Sequence, residues 1–138
     1  QRLRKEMSNH AQQHKADSKF NALFRRGTEL LHQGKAQEAA ALLEEAHALK
    51  PEHVDASLNL SGAYILTKKF KQAVSLLETL RDQVPGNAMV WTNLGAAYLG
   101  NPVLARDDEQ LRAIAAFEQA LVTQTTRMPE IYWPNCVK

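Results

Sequence analysis

Five histidines, one cysteine and fifteen acidic residues are the groups of this 138-residue chain with the most chemistry to offer. His10 and His14 stand four apart. On a helix they share a face, which is the spacing of two metal-bound imidazoles, but a pair with no third ligand makes a weak site and reads as solvated polar surface. His32, His47 and His53 are scattered by the helical pattern. Cys136 is the only cysteine, so an intrachain disulfide and a cysteine-based metal site are both excluded, and it has no recognisable histidine partner as a nucleophile. The six glycines are spread along the chain and form no phosphate-binding loop. Glu44, Glu45, Asp107, Asp108 and Glu109 read as surface charge or helix starts, because a catalytic carboxylate pair needs a pocket that raises one pKa. These residues point to no catalytic site, no cofactor and no metal. The expectation is a protein that is not an enzyme.

What must position the remaining side chains is a repeat. LNLSGAY at Leu58–Tyr64 returns as TNLGAAY at Thr92–Tyr98, 34 residues on. In rows of that length Gly27 aligns with Ser61 and Gly95, Leu23 with Ser57 and Trp91, and Leu30 with Tyr64 and Tyr98. Ala39 likewise aligns with Ala73, Leu43 with Leu77, and Pro51 with Pro85. Within a row the apolar residues recur at helical spacing twice, with a break between, as in TELLHQGKAQEAAALLEEA. Each row therefore predicts a helix, a tight turn and a second helix. The small residues let the paired helices approach, and Pro51 and Pro85 end a unit because proline lacks the N–H that continues a helix.

The pattern resembles the tetratricopeptide repeat, with its W-x2-L-G-x2-Y, A-x3-F and closing proline. Trp91, Leu94, Gly95, Tyr98, Phe117 and Ala120 match it in the third row; Leu60, Ser61, Tyr64, Ala73, Leu77 and Pro85 do so in the second. In the first row Arg26 stands where leucine is usual, while Gly27, Leu30, Ala39, Ala46 and Pro51 fit. The resemblance covers about residues 20–125. It implies an all-α solenoid of about three antiparallel helix pairs in a right-handed superhelix. The expected organisation is a basic polar leader over 1–19, helical or partly disordered, repeats over 20–53, 54–87 and 88–128, and a tail over 129–138. AIAAFEQAL begins at Ala113, six residues late in phase, so an insertion is expected near 101–107, read as a tolerated surface loop or a contact loop. Asp107 or Asp108 is placed to cap the helix that follows.

The resemblance also implies a concave wall lined by the first helix of each unit, on which a peptide or helical segment of another protein lies. Its residues here would be Asn21, Phe24, Arg25, Thr28, Leu31, Asp55, Leu58, Asn59, Gly62, Ile65, Leu66, Met89, Thr92, Asn93 and Ala96. Asn59 and Asn93 repeat in phase, and an amide offers both donor and acceptor to a peptide backbone, unless it bonds within the domain instead. Phe24, Leu58 and Met89 are the expected apolar pockets. The carboxylate clamp of some relatives is not expected. The corresponding places hold Phe24, Thr28, Asn59, Met89 and Asn93, which supply no cation for it.

The rest of the composition narrows the setting. Hydrophobic residues make up 44% of the chain and charged ones 23%, a profile of one soluble globular domain. No apolar run approaches the roughly 20 residues of a membrane span, and no signal peptide is visible. A chain that opens on Gln1 reads as a fragment. Cytoplasm is the expected compartment, since the single cysteine suits a reducing one. The net charge of +2 is too small to point to nucleic acid. The basic residues Arg2, Arg4, Lys5, Lys15 and Lys19 gather in the leader, so contact with a membrane or nucleic acid is expected only through that arm or an upstream segment. The second reading is self-association: the last repeat has no polar sealing helix, and Ile131, Tyr132 and Trp133 could cover its open face or join another molecule.

Overall fold

The computed structural model describes residues 1–100 and 107–127. Residues 101–106 of the insertion expected near 101–107, the tail with Ile131, Tyr132 and Trp133, and Cys136 lie outside them. The described residues form six α-helices and no strand: α1 (Arg2–His32), α2 (Ala36–Leu49), α3 (Val54–Leu66), α4 (Phe70–Gln83), α5 (Ala88–Leu99) and α6 (Asp107–Arg127). They fall into two compact units, Gln1–Thr67 and Lys68–Lys138.

In the first unit, α2 packs against both α1 and α3. α1 runs through 31 residues because nothing stops it: its sequence holds no proline, and the one glycine is Gly27. No break falls at the 19/20 boundary that composition suggested, and the basic leader is the exposed first half of this helix. Gly34, at φ 80°, ends it, and the Gly34 and Lys35 amides close back on the carbonyls of Leu31 and Leu30. The α1–α2 approach depends on Gly27, where a Cβ would stand 2.8 Å from Leu43 Cγ. Phe20, Ala46 and Ala56 form a core cluster from all three helices, with Leu23 and Phe24 packed against it. Pro51 follows α2, and the chain turns to His53, whose Nδ1 accepts from the Ala56 amide at 3.1 Å and so caps α3.

In the second unit, α5 packs against both α4 and α6. Asn87 caps α5, its Oδ1 accepting from the amides of Met89 and Val90. Gly95 faces the Phe117 ring, with ring atoms 2.6 to 2.8 Å from where a Cβ would sit. Gly27 with Leu43 and Gly95 with Phe117 are thus the same contact made in different repeats, and α6 begins at Asp107, where the aspartate pair stands. Lys68 precedes α4 at φ 62°, in the place Gly34 holds one period earlier.

Candidate functional site

The side chains expected on a binding wall divide between the two units. In the first, α1 and α3 lie side by side. Asn59 Nδ2 donates to Thr28 Oγ1 at 3.1 Å, joining two of the expected residues across the helices. The Asn59 carbonyl oxygen and second N–H remain for another partner. One turn further on, Gly62 faces Leu31, whose Cδ2 lies 4.0 Å from an imagined Cβ. Asn21, Arg25 and Asp55 are exposed, Leu58 half-buried. Phe24 is half-buried as well, but it is committed inward: its ring stacks on Phe20 at 5.7 Å and meets the edge of His53 at 5.2 Å. It is less an open pocket than a flank of the core.

On α5 of the second unit, Met89 is exposed, while Thr92, Asn93 and Ala96 are half-buried. The Thr92 hydroxyl donates to the carbonyl of Ala88 on its own helix at 3.0 Å. The stretch therefore offers a flexible thioether beside a helix surface of small and amide side chains, a surface that adapts to apolar ligands.

Three arrangements were not legible as pairs in the sequence. The Tyr64 hydroxyl donates to Glu44 at 2.8 Å and the Tyr98 hydroxyl to Glu78 at 2.8 Å, so the same bond recurs one period apart. Glu44, read as ordinary surface charge, is a hydrogen-bond acceptor. Burial, assisted by the glutamate, pushes the Tyr64 phenol up to about 12, and Tyr98 is raised for the same reasons. The histidines are also placed: His47 shares a 3.0 Å hydrogen bond with Ser57, and His53 sits on the Phe20 ring at 4.8 Å. Lys50 joins them, 4.9 Å from the Phe20 centroid and 3.0 Å from Asp17. The Lys50 ammonium, helped by Gln13 and opposed by desolvation, holds the Asp17 carboxyl below the usual carboxylate value. The common signal was the 20-residue spacing of Glu44 to Tyr64 and Glu78 to Tyr98.

The second unit also carries an open cleft of about 1110 Å³ between α4 and the ends of α5 and α6, lined by Lys69, Lys71, Arg81, Tyr98 and Arg112 among others. Among the described residues no group of three or more His, Cys, Asp or Glu is placed to hold a metal ion, and no helix is long and apolar enough to cross a membrane.

A family model described as tetratricopeptide repeat matches residues 30–98. No curated protein matches the chain. Among solved structures, residues 41 to the end of MamA from Desulfovibrio magneticus RS-1 are similar, with a TM-score of 0.66 and 28% identity over 77% of this chain. A MamA RS-1 structure titled the ArsTM double mutant gives a TM-score of 0.65, again at 28% identity and over 77% of this chain. In both cases the match spans 56% of the solved chain, so this sequence covers little more than half of their length.

Proposed function

The chain belongs to the tetratricopeptide repeat family, and from that premise we propose that it binds a peptide or helical segment of another protein in the groove that such repeats offer. An interaction or assembly module is what the family and the MamA likeness support. The observation that carries the finer reading is Asn59. It is half-buried, held from one side by Thr28, and keeps an acceptor and a donor in hand. An amide fixed in this way loses little entropy when it bonds a peptide backbone, and it does so whatever the ligand's side chains are. Gly62, three residues on, adds no side chain to that stretch of α3. The role is that of a non-catalytic adaptor, with affinity in the micromolar range, about −8 kcal/mol.

Capture from a cell extract, run with the wild-type chain beside an Asn59→Ala variant, tests this. A segment recovered by the wild type is then titrated calorimetrically against both. At about 1 kcal/mol per hydrogen bond, the replacement weakens a groove ligand by roughly fivefold. Equal affinity for both proteins removes the groove reading. An assembly role has one observation of its own, the large exposed apolar residues of α6.

A further inference from the structure

The cleft of the second unit, between α4, the end of α5 and the start of α6, combines an apolar lining with cations that nothing answers. Phe70, Val74 and Leu99 line it half-buried, and the Phe70 ring lies 3.4 Å from where a Cβ of Gly100 would stand. Beside them the side chains of Lys68, Lys69, Lys71 and Arg112 are exposed and join no ion pair among the described residues, and α4 has no acidic residue in its first turn. The carboxylates of the cleft are already engaged. Glu78 accepts the Tyr98 hydroxyl, Asp82 lies 3.3 Å from Arg81, and Glu109 has a partner too.

The chain itself does not balance this charge. Residues 101–106, which join α5 to α6, read NPVLAR and bring one more cation and no carboxylate. A helix pair stacked beyond α6 would also leave the cleft open. In this repeat the first helix of a unit packs on the second helix of the unit before, as α3 does on α2 and α5 on α4, so a continuation packs on the side of α6 turned away from α4. A concave surface with an excess of one charge concentrates the opposite charge from solution.

We infer that this cleft is a docking site for a short acidic segment of a partner protein, one that sets apolar side chains against Phe70, Val74 and Leu99 and carboxylates against Lys69, Lys71 and Arg112. Ammonium and guanidinium groups free of other partners make charge-assisted hydrogen bonds to such carboxylates, and the complementary charge selects against basic segments. A nucleic-acid strand fits less well, because Glu78, Asp82 and Glu109 interrupt the cations while a strand brings a phosphate with every nucleotide. The cleft shares no residue with the groove of the proposed function and does not depend on it.

The probe is a fluorescein-labelled peptide, DDELLDDE, titrated with the full chain and followed by anisotropy. Saturable binding is expected, weaker at higher salt. The amide peptide NNQLLNNQ binds about tenfold more weakly or worse, and DDESSDDE, without the apolar centre, about fivefold more weakly. In the chain, Lys71→Ala and Arg112→Ala each cost about threefold, and Lys69→Ala, Lys71→Ala and Arg112→Ala together roughly twentyfold or more. Asn59→Ala leaves binding unchanged, and so does the joint replacement Arg2→Ala, Arg4→Ala, Lys5→Ala in the basic leader. Circular dichroism checks that the variants, altered at exposed positions, fold. The inference is overturned by absence of saturable binding, by equal binding of NNQLLNNQ, or by binding lost with the leader cations and kept without those of the cleft. A labelled oligo-dT that binds more tightly than the peptide through the same three residues overturns it in favour of nucleic acid. Binding that appears only after Val103 and Leu104 are changed to Ser makes the chain's own segment the occupant and overturns it too.

Discussion

At the residue scale, identical residue types do different work according to what stands opposite. Gly27 and Gly62 are both helical glycines, but an added methyl at Gly27 meets Leu43 Cγ at 2.8 Å, whereas at Gly62 it reaches only ordinary contact with Leu31. Gly27→Ala is therefore expected to cost about 1–3 kcal/mol through overpacking. Gly62→Ala gains about 0.5–1 kcal/mol from helix propensity. Urea unfolding of the two variants checks both, and equal signs would remove the packing role of Gly27. Tyr64 supplies a second case. Its phenol, pushed up to about 12, keeps its proton where an unfolded tyrosine, near 10, has lost it. The unfolded chain thus binds fewer protons above pH 10, and this contribution to stability is complete below that pH and disappears as pH rises towards 12. Glu44→Gln removes the charge that assists, so the phenol titrates lower, yet above the ordinary value because burial is the larger cause. Ultraviolet titration in a Tyr98→Phe, Tyr132→Phe background measures it; an unmoved Tyr64 would mean the carboxylate plays no part.

At the element scale, the repeat tolerates a change of residue where the backbone does not change. The turn before α2 uses Gly34 at φ 80°, and the turn before α4 uses Lys68 at φ 62°. A side chain in the left-handed region costs roughly 1–2 kcal/mol that glycine avoids, less the greater chain entropy glycine loses on folding. Lys68→Gly is expected to raise stability by about 0.5–1 kcal/mol, read from the urea midpoint, and a loss of stability would show that the lysine side chain is held by contacts of its own. The same comparison explains the helix starts. Asn87 is a common cap and His53 an uncommon one, yet each supplies an acceptor to the amides of the first turn. Composition gives little notice of the second, since an imidazole becomes a cap only when its ring is held in place, here against Phe20 and Phe24.

At the scale of the whole molecule, the period of 34 residues made the helices, their small contact residues and the family legible before any coordinate was known. That information is local: helical spacing of apolar residues and the places of glycine and proline report on the few residues around them. The partners were not local. Asn59 meets Thr28 across 31 residues, Tyr64 meets Glu44 across 20, and His47 meets Ser57 across 10. Whether Phe24 opens to a ligand or leans on the core, and whether an apolar side chain of α6 faces protein or water, depends on which helices lie beside it. Sequence alone determined that this chain is built of repeated helix pairs, because repetition and periodicity are written along the backbone. Only the tertiary structure decided which side chains meet and which surfaces stay uncovered, because those follow from packing between segments that are distant in the chain.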